Sequence, residues 1–298
     1  MTEHSTQKTV QRKKVKKRSQ LKALWFQYRK NRLAMFGLIL MTLMLLTALG
    51  AGFLLDYDTQ VIGQNIRARL QWPSAAHWFG TDQYGRDLFA RIIWGSRISL
   101  FVGFFTVGIA MTVGSLIGAF AGYYGGRVDN VLMRIMDIFL AMPGTIMAVA
   151  IVGALGPGII NVLMAMSLCR IPQFARIVRS AIITIRGQEF VEAARCCGSK
   201  DLRIIFRHIL PNAIGPIVVQ ATIGMATTIL GVAGLSFIGL GIEAPLPEWG
   251  SMLSEAKSQM MYQPYLMFFP GVAIVLAVLA LNLIGDGLRD ALDPRMKT

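Results

Sequence analysis

Long stretches of this chain run without a single Asp, Glu, Lys or Arg, residues 33–55, 98–126 and 138–169 among them. A backbone in hydrocarbon has no water to bond and must satisfy its own N–H and C=O groups, which a helix does within one segment. Uncharged runs of about 18 residues or more therefore read as membrane-crossing helices. Composition agrees. Only 15% of the 298 residues are charged and the mean hydropathy is +0.53, against roughly a quarter charged in a soluble domain.

Turn chemistry divides the longest run. "GALGPG" at residues 153–158 is a natural break between helices, which places six spans at about 33–55, 98–126, 131–152, 159–177, 212–240 and 266–284. Only eleven residues after that break are uncharged before Arg170, about 16 Å of helix, so the fourth span is short unless Arg170 faces the bundle interior, a cavity or the interface. Charge asymmetry favours keeping it. With both termini inside, the cytoplasmic side holds 24 of the thirty Lys and Arg residues, as the positive-inside rule asks. The expected fold is an all-α membrane protein of six transmembrane helices with cytoplasmic N and C termini.

Eleven of the thirty basic residues precede Leu33, many in "QRKKVKKRSQ". That pattern fits a cytoplasmic tail attracted to anionic membrane lipid better than a nucleic-acid arm, because an apolar span follows at once. It is also too long, and its apolar run too extended, for a secretory signal with an apolar region of about 7–15 residues. Four glycines, Gly114, Gly118, Gly122 and Gly126, recur every four residues in the second span. On a helix they form one smooth stripe for close backbone approach, either within the bundle or against another subunit.

The most informative polar segment is "EFVEAARCCGSKDLRIIFRHILPN", residues 189–212. "EFVEAAR" forms helix readily, Gly198 stops it, and "SKDLRIIFRHI" resumes helix as far as Pro211, with Ser199 as an N-cap. Two short helices meeting at a glycine also suggest a DNA-binding helix-turn-helix. A single such unit tethered between spans lacks the bundle core that motif requires. From the spacing alone, Ala-Ala-x3-Gly either seats in a partner's groove or packs the loop against its own bundle.

Glu192, Ala193 and Ala194, then Gly198, His208, Leu210 and Pro211 resemble the EAA motif of binding-protein-dependent ABC importer permeases. The family pattern has Ile where His208 stands. "HWFGTDQYGRDLFARIIWGSRISL" (77–100), "AGYYGGRVDNVLMRIMDI" (121–138), "LSFIGLGIEAPLPEWGSML" (235–253) and "GDGLRDALDPRMK" (285–297) resemble the C-type permease subunit of dipeptide, oligopeptide and nickel importers. The resemblance implies a type I importer permease fold and four segments: a basic cytoplasmic tail (1–32), a first helix with external loop (33–96), a permease core (97–288) and a cytoplasmic C-terminal tail (289–298). It also implies a working unit of this chain, a second permease subunit, two ABC ATPases and an extracytoplasmic substrate-binding protein. Motion of the ATPases would enter through the EAA loop, where Glu192 offers a charge to an ATPase arginine. The substrate would be a di- or oligopeptide, or alternatively nickel or a metal chelate.

Other chemistries lack their residues. No G-x4-G-K-[ST] cradles phosphate, so ATP and Mg are expected on the partner ATPases and no cofactor on this chain. Three cysteines (Cys169, Cys196, Cys197) and three scattered histidines make neither a disulfide framework nor a metal site. The spans hold almost no Asp or Glu for the proton relay of an ion-coupled transporter, and no nucleophile–base pair marks an enzyme. Asp82, Asp87 and Glu248 fall in expected external loops, as turn formers or contacts for a binding protein. Asp137, Asn161, Gln220 and Asn282 at or within spans are functional candidates or helix-to-helix hydrogen bonders.

Overall fold

The computed structural model describes residues 20–292. Most of the basic run at 11–20, and the final residues 293–298 of the C-terminal tail, lie outside the described residues. Among those described the chain is helical: α1 (Gln20–Lys30), α2 (Arg32–Leu54), α3 (Leu88–Tyr124), α4 (Gly126–Leu140), α5 (Gly144–Leu155), α6 (Ile159–Arg186), α7 (Glu189–Cys196), α8 (Asp201–Ile204), α9 (Ile214–Phe237), α10 (Trp249–Ala256) and α11 (Tyr265–Leu292). Four helical stretches are long and apolar enough to cross a bilayer, and the bent pair of α4 and α5 is apolar enough to count as a fifth when taken as one span.

The α1–α2 corner follows from Asn31, whose Oδ1 accepts hydrogen bonds from the N–H groups of Leu33 and Ala34 at 3.1 and 3.2 Å. These are two of the donors a helix start leaves unpaired. Tyr28 Oη donates to Ala34 O at 3.0 Å across the corner, and burial raises its pKa. Helix α3 is the spine: α6 and α9 pack along it, and α2 and α11 close the bundle.

Three expectations need correction. The second span starts ten residues earlier than its uncharged run, at Leu88. Asp87 caps it, with Oδ1 accepting from Ala90 N at 2.9 Å, and the charges that hid its first turns are held: Arg91 is buried in ion pairs and Arg97 lies over the Trp94 ring. The third span is not one straight helix. It breaks near Pro143 into α4 and α5, bent by 80°, because proline lacks the N–H that would continue the ladder. The charges of α4 (Arg127, Asp129, Arg134, Asp137) suit a helix lying at the interface. Helix α6, expected as a fourth span ending near residue 177, continues to Arg186, with Arg176 and Arg179 paired to carboxylates and Arg186 bonded to the last carbonyls of α3.

Pro211 does not end the helix that begins at Asp201. The backbone passes it by widening to a π turn over Ile205–Ile209 and tightening to a 3₁₀ turn over Leu210–Ala213 before α9 continues. Leu210 N reaches back five residues to Ile205 O. The Asn212 side-chain amide donates to His208 O at 2.6 Å, so both adjustments satisfy groups a proline disturbs.

Candidate functional site: the loop between α6 and α9

Helix α7 is stopped by backbone chemistry. Ser199 N donates to Ala194 O at 3.1 Å and Gly198 N to Arg195 O at 2.9 Å, the paired bonds of a Schellman motif. That motif needs a left-handed residue after the cap, and Gly198 has φ +74°; glycine takes it without the Cβ penalty other residues meet. Ser199 is used up in this closure, so Lys200 rather than Ser199 precedes α8, with no side-chain cap.

The two faces of the loop differ. Inward, Val191, Ile204, Ile205, Ile209 and Ala213 are fully buried and pack with Ala119 and Tyr123 of α3 and Val178 and Ile182 of α6. Ala194, three residues after Val191, joins that face. Outward, Glu192 and Ala193 are exposed, alongside the large apolar side chains Phe190, Leu202 and Phe206. The alanine pair therefore splits: Ala194 packs the loop on its own bundle and Ala193 faces away. Gly198 is exposed and a Cβ there would touch nothing within 4 Å. His208 and Leu210 are half-buried and Pro211 is exposed. Glu192 forms no ion pair among the described residues.

Polar ties fix the loop to the end of α3. Tyr123 Oη donates to Asp201 Oδ1 at 2.6 Å, the Arg195 guanidinium lies 5.2 Å from the Tyr123 ring centroid, and Arg186 Nη1 donates to Gly122 O and Tyr123 O, both at 3.0 Å. Tyr123 and Asp201 went unnoticed in the sequence, where 78 positions separate them. Behind them run the stripe glycines. A Cβ on Gly114 would lie 2.6 Å from Phe174 Cβ, one on Gly118 would press on Ala175 O, and one on Gly122 would lie 2.9 Å from Arg179 O. These three let α3 and α6 approach backbone to backbone. Gly126 is not among them: it opens α4 at φ +54° with open space around it. Loop, α3 and α6 form one packed unit.

At the opposite end of α3, the acidic residues are spoken for. Asp82 accepts from Arg86 Nε and Arg91 Nη1, both at 2.6 Å, and Glu255 accepts from Arg86 Nη2 at 2.6 Å and Arg91 Nη1 at 2.8 Å. Glu248 is buried and caps α10, accepting from Gly250 N and Ser251 N at 2.8 Å each. Asp87 caps α3 and accepts at 2.8 Å from His77 Nδ1. Buried Asp82 and Glu248 offer nothing to a binding protein; their role is structural. Asp82 and Arg86 face each other across a turn rather than on a helix face, and nothing in the sequence joins either to Glu255. Of the polar span residues, Asp137 pairs with Arg176 at 2.6 Å and Asn161 Nδ2 donates to Leu155 O and Gly156 O, holding the α5–α6 turn. Among the described residues no group of three His, Cys, Asp or Glu is placed to hold a metal ion.

A bundle of helices long and apolar enough to cross a bilayer, with a polar loop packed on it, defines a polytopic membrane protein. Residues 114–298 match the family described as binding-protein-dependent transport system inner membrane component. Residues 19–73 match the N-terminal TM domain of oligopeptide transport permease C. The chain belongs to this family of inner-membrane ABC importer permeases, whose members are not themselves catalytic. It is 50% identical over 272 residues to the dipeptide transport system permease protein DppC of Alkalihalophilus pseudofirmus, covering 91% of this chain and 89% of that one. It is 42% identical to the glutathione transport system permease protein GsiD of Pectobacterium atrosepticum, covering 94% and 93%. A solved inward-facing structure of the MetNI methionine ABC transporter shares the fold at a TM-score of 0.56 and 21% identity, over 68% of this chain and 97% of that one.

Proposed function

We propose that this chain forms half of the translocation pathway of an importer for di- or oligopeptides and receives ATPase motion through the loop between α6 and α9. The two-faced loop carries this reading. A polar segment that buries its inner face fully, yet leaves Phe190, Leu202 and Phe206 in the open beside Glu192, has the form of a docking surface awaiting a partner. Glu192, Ala193 and Gly198 meet an ABC ATPase there. Ala194, His208, Leu210 and Pro211 set the shape of the loop behind them. Because the loop is tied to α3 and α6, displacing it moves two long helices together.

The unit comprises a second permease subunit, two ATPases that bind ATP and Mg, and an extracytoplasmic binding protein; this chain holds no cofactor. Six crossings with both termini in the cytoplasm follow if α4–α5 and α6 each cross, which keeps the basic loop on the same side as the basic tail. The dipeptide and glutathione permeases among its relatives support a peptide substrate. The test is reconstitution of the chain with its partner subunits and binding protein in proteoliposomes. ATP-dependent accumulation of a labelled di- or oligopeptide is expected; accumulation of nickel but no peptide would overturn the substrate.

A further inference from the structure

Helix α6 carries four arginines, and three are accounted for. Arg176 Nη2 donates to Asp137 at 2.6 Å, Arg179 grips Asp129 through Nε and Nη2 at 2.5 and 2.6 Å, and Arg186 caps the last carbonyls of α3. Arg170 is the exception. Its one hydrogen bond runs to the neutral Gln173 Oε1 at 3.3 Å, and no carboxylate among the described residues pairs with it.

Its position makes that costly. Arg170 lies eleven residues into α6, about 16 Å along the axis, which in the six-crossing arrangement proposed above is near the middle of an apolar layer about 30 Å thick. An arginine at that depth faces the bundle interior, a cavity or a partner group rather than lipid. Arg170 faces a cleft of about 600 Å³ between α5, α6 and α9. The polar lining is Thr145, Cys169, Gln173, Thr227 and Arg170 itself, and the rest is glycine, alanine, valine, leucine, isoleucine and methionine. No acidic side chain lines it. Its volume falls within the roughly 300–1,000 Å³ of small-molecule sites.

We infer that Arg170 is the counter-ion for the C-terminal carboxylate of a peptide in transit through this cleft. The inference rests on the peptide reading above and adds the residue that meets the substrate. A guanidinium matches a carboxylate with two parallel hydrogen bonds. Thr145, Thr227 and Gln173 are neutral groups able to bond a peptide's amides. The carboxylate is the one anion every free peptide carries whatever its side chains. A single cation on an otherwise uncharged wall thus holds many peptides and commits to none.

The test uses the complete importer in proteoliposomes and compares Arg170→Lys, Arg170→Gln and Arg170→Glu with the wild type. Complex yield, binding-protein-stimulated hydrolysis and peptide accumulated per ATP are read on the same preparations. Arg170→Gln should assemble and hydrolyse ATP normally while peptide per ATP falls by about tenfold or more, the factor a lost hydrogen bond to a charged group represents. Arg170→Glu should be worse, because it repels a carboxylate, and Arg170→Lys should keep most of the transport. Unchanged peptide per ATP in Arg170→Gln would overturn the assignment. So would failure of Arg170→Gln to assemble, which would give the anion to the second permease subunit instead. A wild-type importer that accumulates no peptide would refute the peptide reading itself, a result distinct from a wild type that transports and an Arg170→Gln variant that matches it.

Discussion

The two ends of α3 treat charge in opposite ways. At its N-terminal end, Asp82, Arg86, Arg91 and Glu255 form a balanced set of two acids and two bases, the arginines almost wholly buried. At its C-terminal end, Glu192 stands in the open without an ion-pair partner among the described residues, next to exposed Phe190 and Phe206. The first arrangement satisfies itself; the second leaves a charge and apolar surface exposed, as the proposed docking of a partner requires. A region that spends its charges on its own fold has none left for a partner, and the loop between α6 and α9 has not spent Glu192.

The largest effect on folding should come from unbalancing the closed end. Asp82→Ala leaves two buried arginines sharing one carboxylate, and breaking a buried pair typically costs about 3–5 kcal/mol. Membrane levels and thermal stability in detergent should both fall sharply. An Asp82→Ala complex as stable as the wild type would mean that the cluster is wet and that the contrast between the two ends is overstated.

Next comes the shared spine. Gly118→Leu drives a side chain into Ala175 and Val178, and overpacking costs about 1–3 kcal/mol. Folded complex should therefore drop in mild detergent, while Gly126→Ala, with no neighbour to strike, should bear only the backbone penalty of about 1–2 kcal/mol for a left-handed residue. Equal losses in the two variants would remove the stripe from the account.

The smallest structural effect belongs to the open end. Phe206→Ala removes an exposed side chain and should leave stability within about 0.5 kcal/mol, yet weaken retention of the ATPases during purification. Cys196 and Cys197, both exposed, should react with a membrane-impermeant thiol reagent in inverted vesicles and not in intact cells. Rapid labelling in intact cells would put the loop on the wrong side for an ATPase.

This contrast also separates what the sequence makes legible from what it hides. Uncharged runs marked α2 and α9 closely and the start of α11, since the charges of these helices lie beyond or near their ends, Arg32 opening α2 and Asp286, Arg289 and Asp290 falling in the last turns of α11. They misplaced the start of α3 and the end of α6, because Arg91, Arg176 and Arg179 sit within helices where partners from distant segments hold them. The EAA loop was readable because its signals, Ala-Ala-x3-Gly and Leu-Pro, are local. Even there, which alanine faces inward depended on Val191 and Ala194 sharing a helix face against α3 and α6. The kink at Pro143 and the continued helical path past Pro211 show the same residue with opposite outcomes. At Pro211 a π turn and the Asn212 amide bond absorb the disturbance, whereas at Pro143 the chain simply bends.

The central claim is that the loop between α6 and α9 receives motion from the ATPases rather than merely packing on its bundle. Glu192→Lys tests it most directly, because Glu192 is exposed and its reversal breaks no ion pair among the described residues. Gly198→Trp serves as a companion that adds bulk and strains the left-handed turn. Complex level, ATPase retention and binding-protein-stimulated hydrolysis should be measured on one reconstituted preparation of each. The account predicts normal insertion of the permease, with hydrolysis no longer stimulated by loaded binding protein or with the ATPases washing off. Full stimulated hydrolysis and full transport in both variants would contradict it.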